Sequence, residues 1–124
     1  MPGWSRAYAS RPRWACDKGT GSDANPRDAD RVTFEVEVHR GTVTVTRAEA
    51  TGCDSIGLVV RTLETLAHQK SEDEVWLIDV ATIKRWMGAV SEENERCALT
   101  AIGALRAAII DAHVTARARG EVKT

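Results

Sequence analysis

Asp54-Ser55-Ile56-Gly57 opens an apolar helical pattern and offers a carboxylate, a hydroxyl and a glycine within four residues. A phosphate on Ser55 would sit at the positive end of a helix, where anions are stabilised. The plainer role of Asp54 and Ser55 is capping, because their oxygens accept from the free N–H groups of a first helical turn. Gly57 costs about 1 kcal/mol against alanine inside a helix. A close backbone approach or a packing need would explain that cost.

Asp79 ends the run "VWLIDV". A carboxylate at a strand end binds a cation, acts as a base or caps the next turn. No histidine or second carboxylate adjoins it, so acid–base work lacks a visible partner. Lys84, Arg85 and Trp86 form a basic and aromatic cluster that suits either a contact patch or a cover for the sheet end. Ser91, ahead of Glu92 and Glu93, suits the N-cap of a last helix and is a second phosphoacceptor candidate.

Other chemistries find no residues. Cys16, Cys53 and Cys97 are odd in number, scattered and without Cys-x-x-Cys, which argues for reduced thiols and a cytoplasmic chain. His39, His68 and His113 are equally dispersed, with no zinc-ligand spacing. "GTGS" lacks the ending of a phosphate loop, the Asp-rich stretch 17–30 lacks calcium-loop spacing, and no Gly-x-Ser-x-Gly elbow occurs. The expectation is no catalytic set, no metal and no cofactor.

The 124 residues suit one domain, and the net charge of −1 gives no field that would attract nucleic acid or a membrane surface. Uninterrupted apolar runs fall far short of the roughly 20 residues that span a bilayer. The N-terminus has no signal-peptide core.

The elements that must position these residues follow from periodicity. Residues 1–30 hold all three prolines and show no period, so a disordered leader is expected. Its Trp4, Tyr8 and Trp14 interleave with Arg6, Arg11 and Arg13, a mix that also suits stacking on single strands. "VTFEVEVHRGTVTVTR" alternates strictly and predicts a hairpin with a turn at Arg40-Gly41. Its register should pair Val38 with Val43, Val36 with Val45, Glu37 with Thr44 and His39 with Thr42. Ile56, Val59, Val60, Leu63, Leu66 and Ala67 predict a helix over about 54–69. Residues 75–80 read as a central strand. Ala98, Ile102, Leu105, Ile109 and Ala112, widened by Leu99 and Ile110, predict a long helix between Ser91 and Gly120. Residues 31–120 thus form a single small domain and 121–124 a tail.

That order, β-β-α-β-α, resembles a STAS domain, the fold of anti-sigma factor antagonists and of sulfate-transporter cytoplasmic domains. The likeness covers about residues 32–119 and rests on the hairpin, the helix and a strand ending in Leu77-Ile78-Asp79-Val80. The family's phosphoacceptor serine lies in an Asp-Ser-x-Gly stretch after that strand. Here "DSIG" precedes the strand, and Ser91 takes the topological position without the motif. The chain ends where the family's last strand and helix would begin.

The fold class expected is therefore α/β (α+β): a small mixed sheet with two helices on one face, STAS-like and truncated. The function expected is a non-enzymatic protein-interaction or regulatory module under phosphate control, with a protein partner. One alternative is a ligand-binding protein or enzyme using Asp79. Another is a structural homodimer through the long helix. An apolar patch at Leu58 or Trp86 would favour interaction, and polar groups converging on Asp79 would favour the enzyme.

Overall fold

The computed structural model describes residues 17–52, 54–88 and 92–118. Four antiparallel strands lie in the order β1-β2-β3-β4, with β1 at Asp17–Asn25, β2 at Asp30–His39, β3 at Thr42–Thr51 and β4 at Lys70–Ser71. Four helices follow or interrupt them: α1 Asp54–Ala67, α2 Glu72–Trp76, α3 Val80–Met87 and α4 Glu92–Ala118. The α+β class, the hairpin and the helices packed on one sheet face agree with the sequence pattern.

The hairpin pairs as its alternation dictates: Val38 faces Val43, Val36 faces Val45, Glu37 faces Thr44 and His39 faces Thr42. Arg40 and Gly41 both have positive φ, 52° and 79°, the condition for a two-residue turn that matches strand twist. A register shift follows between Glu35 and Val36. Thr46 marks it, donating its hydroxyl to the Glu35 carbonyl at 3.2 Å and to Glu35 Oε1 at 2.8 Å.

Val32, Phe34, Val36 and Val38 of β2 are buried together with Val43 and Val45 of β3. Ile56, Val59, Val60 and Leu63 of α1, and Cys97, Ala98, Ile102, Leu105 and Ile109 of α4, complete the core. Burying each large side chain stabilises the fold by about 1.5–3 kcal/mol.

Four expectations are corrected. The leader expected over 1–30 yields a strand at Asp17–Asn25, paired with all of Asp30–Val38. Its buried positions are Asp17, Gly19 and Gly21, so the alternation exists in burial and is invisible in hydropathy. The strand expected at 75–80 is α2 and the start of α3. Ser71 and Glu74 form a reciprocal capping box that starts α2. The buried pair Val75 and Ile78 then has helical spacing, while Trp76 and Leu77 are exposed. With no strand after α1 long enough to return in parallel, the sheet is wholly antiparallel rather than mixed. Finally, Leu99 and Ile110 are exposed instead of widening the buried stripe of α4.

Asn94–Ala116 within α4 is long and apolar enough to cross a bilayer, although no single apolar run is. Over half of its most apolar window is buried inside the molecule. Packing on the sheet accounts for that composition. Residues 1–16, which hold Trp4, Tyr8, Trp14 and Cys16, lie outside the described residues, as do Cys53, Ser91 and the expected stop at Gly120.

Candidate functional site

The end of the sheet where β1 turns into β2 gathers the densest chemistry. Asn25-Pro26-Arg27-Asp28 turns on itself: Asn25 Oδ1 accepts from Arg27 N at 3.1 Å, and Asn25 Nδ2 donates to Asp28 Oδ2 at 2.7 Å. The turn presents Asp28 to α4. There Arg96 donates through Nε at 2.7 Å and through Nη2 at 3.1 Å, a bidentate pair. Hydrogen bonding from Arg96 holds the Asp28 carboxyl below its ordinary range.

One residue pair further in, Cys97 Sγ donates to Asp30 Oδ2 at 3.2 Å. Both are buried, Asp30 to 2 % exposure and Cys97 completely. The third wall is Gly52 at the end of β3, with φ of 139°. A β-carbon added there would overlap Asp30 Oδ1 and stand 2.7 Å from the Asp30 α-carbon. The backbone of Gly52 therefore lies directly against the carboxylate. The next residue in sequence is Cys53, and Asp54 opens α1 immediately afterwards. Among the described residues, no three of His, Cys, Asp and Glu converge as metal ligands. Asp30 and Cys97 are a pair.

Sequence reasoning missed this pair. Asp30 and Cys97 are 67 positions apart, so no ligand-spacing rule joins them. The available signal was Gly52-Cys53: a glycine beside a cysteine at a strand end marks close backbone approach.

The residues singled out from sequence do not form one site. Asp54 and Gly57 are exposed at the start of α1 and Ser55 is half-buried. A β-carbon at Gly57 would meet nothing within 4 Å, so close approach does not explain that glycine. Asp79 is the N-cap of α3 and accepts through Oδ1 from Thr82 N and Thr82 Oγ1, both at 2.9 Å. Lys84 pairs with Glu95 at 3.1 Å, and Arg85 Nη2 reaches Thr82 Oγ1 at 3.4 Å. Trp86 is 64 % exposed. A shallow cleft lined by Asp79, Val80, Ala81, Leu99, Ile102 and Arg106 lies beside α3.

The bonds from Thr82, first from its backbone N–H and then from its hydroxyl, hold the Asp79 carboxyl below 3.8, its ordinary value. A carboxylate with a depressed folded pKa adds stability that is complete above the unfolded pKa and is lost as pH falls through the folded one. Asp79→Asn keeps a capping oxygen and removes the charge. The stability difference between the two chains is expected to be constant near neutrality and to shrink only as pH falls below about 3.8. Urea midpoints across the acid range read it; a difference that instead grows on acidification assigns the wrong sign to the cap.

No family model matches the chain, and no curated protein matches it significantly. The STAS resemblance is neither supported nor overturned by these comparisons.

Proposed function

We propose that the buried Asp30–Cys97 pair supplies two ligands of a binding site for a thiophilic divalent cation of the zinc type. The observation that carries this is the buried thiol–carboxylate bond at 3.2 Å. A cysteine sulfur with a carboxylate oxygen is a donor set that zinc accepts and magnesium or calcium does not favour. Binding displaces the thiol proton that Asp30 now accepts, so affinity rises with pH. Support also comes from Gly52, whose lack of a side chain lets its backbone lie directly against the Asp30 carboxylate. Asp28 and Arg96 flank the pair and hold the β1–β2 turn to α4.

Cobalt(II) is the probe. The full chain is expected to bind it with a thiolate-to-metal absorption band that saturates. Cys97→Ser should abolish the band, and Asp30→Asn should weaken binding by more than the roughly 10–100-fold lost with an outer-shell partner. Circular dichroism checks that each variant is folded. A folded wild-type chain that gives no thiolate band, and is not stabilised by excess zinc, refutes the site.

A second reading is a protein-interaction module. Leu58, Trp86, Leu99 and Leu77 support it, all more than half exposed. In this reading Ser55 is the control point: a phosphate at the first turn of α1 adds charge where the helix end stabilises it.

A further inference from the structure

We propose that the open edge of β3 pairs antiparallel with the same edge of a second copy of this chain, about a two-fold axis through Ala48. The inference goes beyond the cation site and stands whether or not a cation binds.

The two edges of the sheet differ. On β1 the main chain is engaged by carboxylates: Thr20 N donates to Asp111 Oδ2 at 2.9 Å, and Ala24 N donates to Asp23 Oδ1 at 2.8 Å. Groups that take up edge N–H donors in this way keep other strands off. On the opposite side, β4 covers β3 only at Thr42 and Val43. Among the described residues, no strand lies beyond residues 44–51. That stretch holds neither proline nor lysine, two common edge guards. The register shift between Glu35 and Val36 bends the strand ahead of Arg47, and residues 47–51 pair regularly with residues 31–35.

Charge selects the occupant. Arg47 and Glu49 lie on one face of β3, two residues apart, with Arg47 Nη2 at 2.7 Å from Glu49 Oε2. Their side chains are 64 % and 57 % exposed. In antiparallel self-pairing centred on Ala48, Arg47 stands opposite the partner's Glu49, and Glu49 stands opposite the partner's Arg47. Symmetry makes the two opposite-charge pairs form together. Centring on Arg47 or on Glu49 instead sets like charges face to face, so the register is specified. Ala48, half-buried on the other face, meets the partner's Ala48, and a methyl group there leaves room for the strands to close. A second copy carries the mirrored charge order by construction, which an unrelated strand does not.

The test is sedimentation of the full chain, in chelator so that no metal links the copies. It is compared with Arg47→Glu, with Glu49→Arg, and with an equimolar mixture of those two variants. The parent chain is expected to pass from monomer to dimer as its concentration rises. Each single variant sets like charges against each other and should weaken association about tenfold or more. The mixture should restore it, because an acidic edge then meets a basic one. Hydrogen exchange at the edge amides of residues 44–51 should slow as the parent chain is concentrated. Both substituted side chains are exposed, and circular dichroism checks that each variant is folded. A parent chain that stays monomeric up to about 1 mM overturns the proposal. So does a dimer that neither charge reversal weakens, a mixture that fails to associate, or concentration-dependent protection confined to other elements.

Discussion

Gly21→Ala is expected to lower the unfolding temperature by about 10 °C or more, which corresponds to about 3 kcal/mol for a domain of this size. The reason is backbone against backbone. A β-carbon at Gly21 would overlap Ala108 N and Ala104 O and stand 2.7 Å from the Ala107 carbonyl carbon. At Gly19 it would overlap Ala108 O and Ala112 N. No side chain is available to rotate away, so relief requires α4 to lift from β1. Lifting it opens space beside Ala104, Ala108 and Ala112, all completely buried. The control is Gly57→Ala, where nothing lies within 4 Å of the added carbon. That substitution is expected to stabilise the chain by about 0.5–1 kcal/mol, as alanine does over glycine in an open helix. Thermal melts of both variants decide the matter: two similar small shifts would mean that α4 does not sit on β1 as closely as described.

The same glycines explain what was legible in the sequence. The hairpin could be read to its register because its buried positions are Val32, Phe34, Val36 and Val38, large residues at period two. In β1 the buried positions are Asp17, Gly19 and Gly21. The two glycines are small because a helix occupies the space their side chains would fill, and neither they nor a buried aspartate carry an apolar signal. The stretch 71–79 misled for another reason. Its continuous apolar run outweighed a Ser71-x-x-Glu74 box and the Asp79 cap, both of which are helix-start signals. Along α4, periodicity located the helix but not the width of its buried face, since Leu99 and Ile110 flank the stripe at angles that only the neighbours decide. The thiol–carboxylate pair was illegible because it is a tertiary contact. In the sequence Asp30 ends the expected leader and Cys97 is one of three scattered thiols; only the fold brings them together.

Gly52→Ala is the sharper probe of that pair. The added carbon would overlap Asp30 Oδ1 and crowd the Asp30 α-carbon and the Ala29 carbonyl at 2.7 and 3.0 Å. The φ of 139° is a second obstacle, since side chains other than glycine rarely adopt it. Strain of this kind and overpacking each cost about 1–3 kcal/mol, so a loss of about 2–4 kcal/mol is expected. Part of the cost falls on the carboxylate, which must swing away from Cys97. Site-resolved alkylation should therefore label Cys97 faster in Gly52→Ala than in the parent chain. A double-mutant cycle separates the two sources. In an Asp30→Ala background the carboxylate overlap is gone while the φ strain remains, so Gly52→Ala should cost less there. Strict additivity would mean that Gly52 is needed only for its backbone angle and for its closeness to the Asp30 and Ala29 main chain. Coupling would mean that glycine is present at this position because a carboxylate occupies the space beside it, which is what a site built around Asp30 and Cys97 requires.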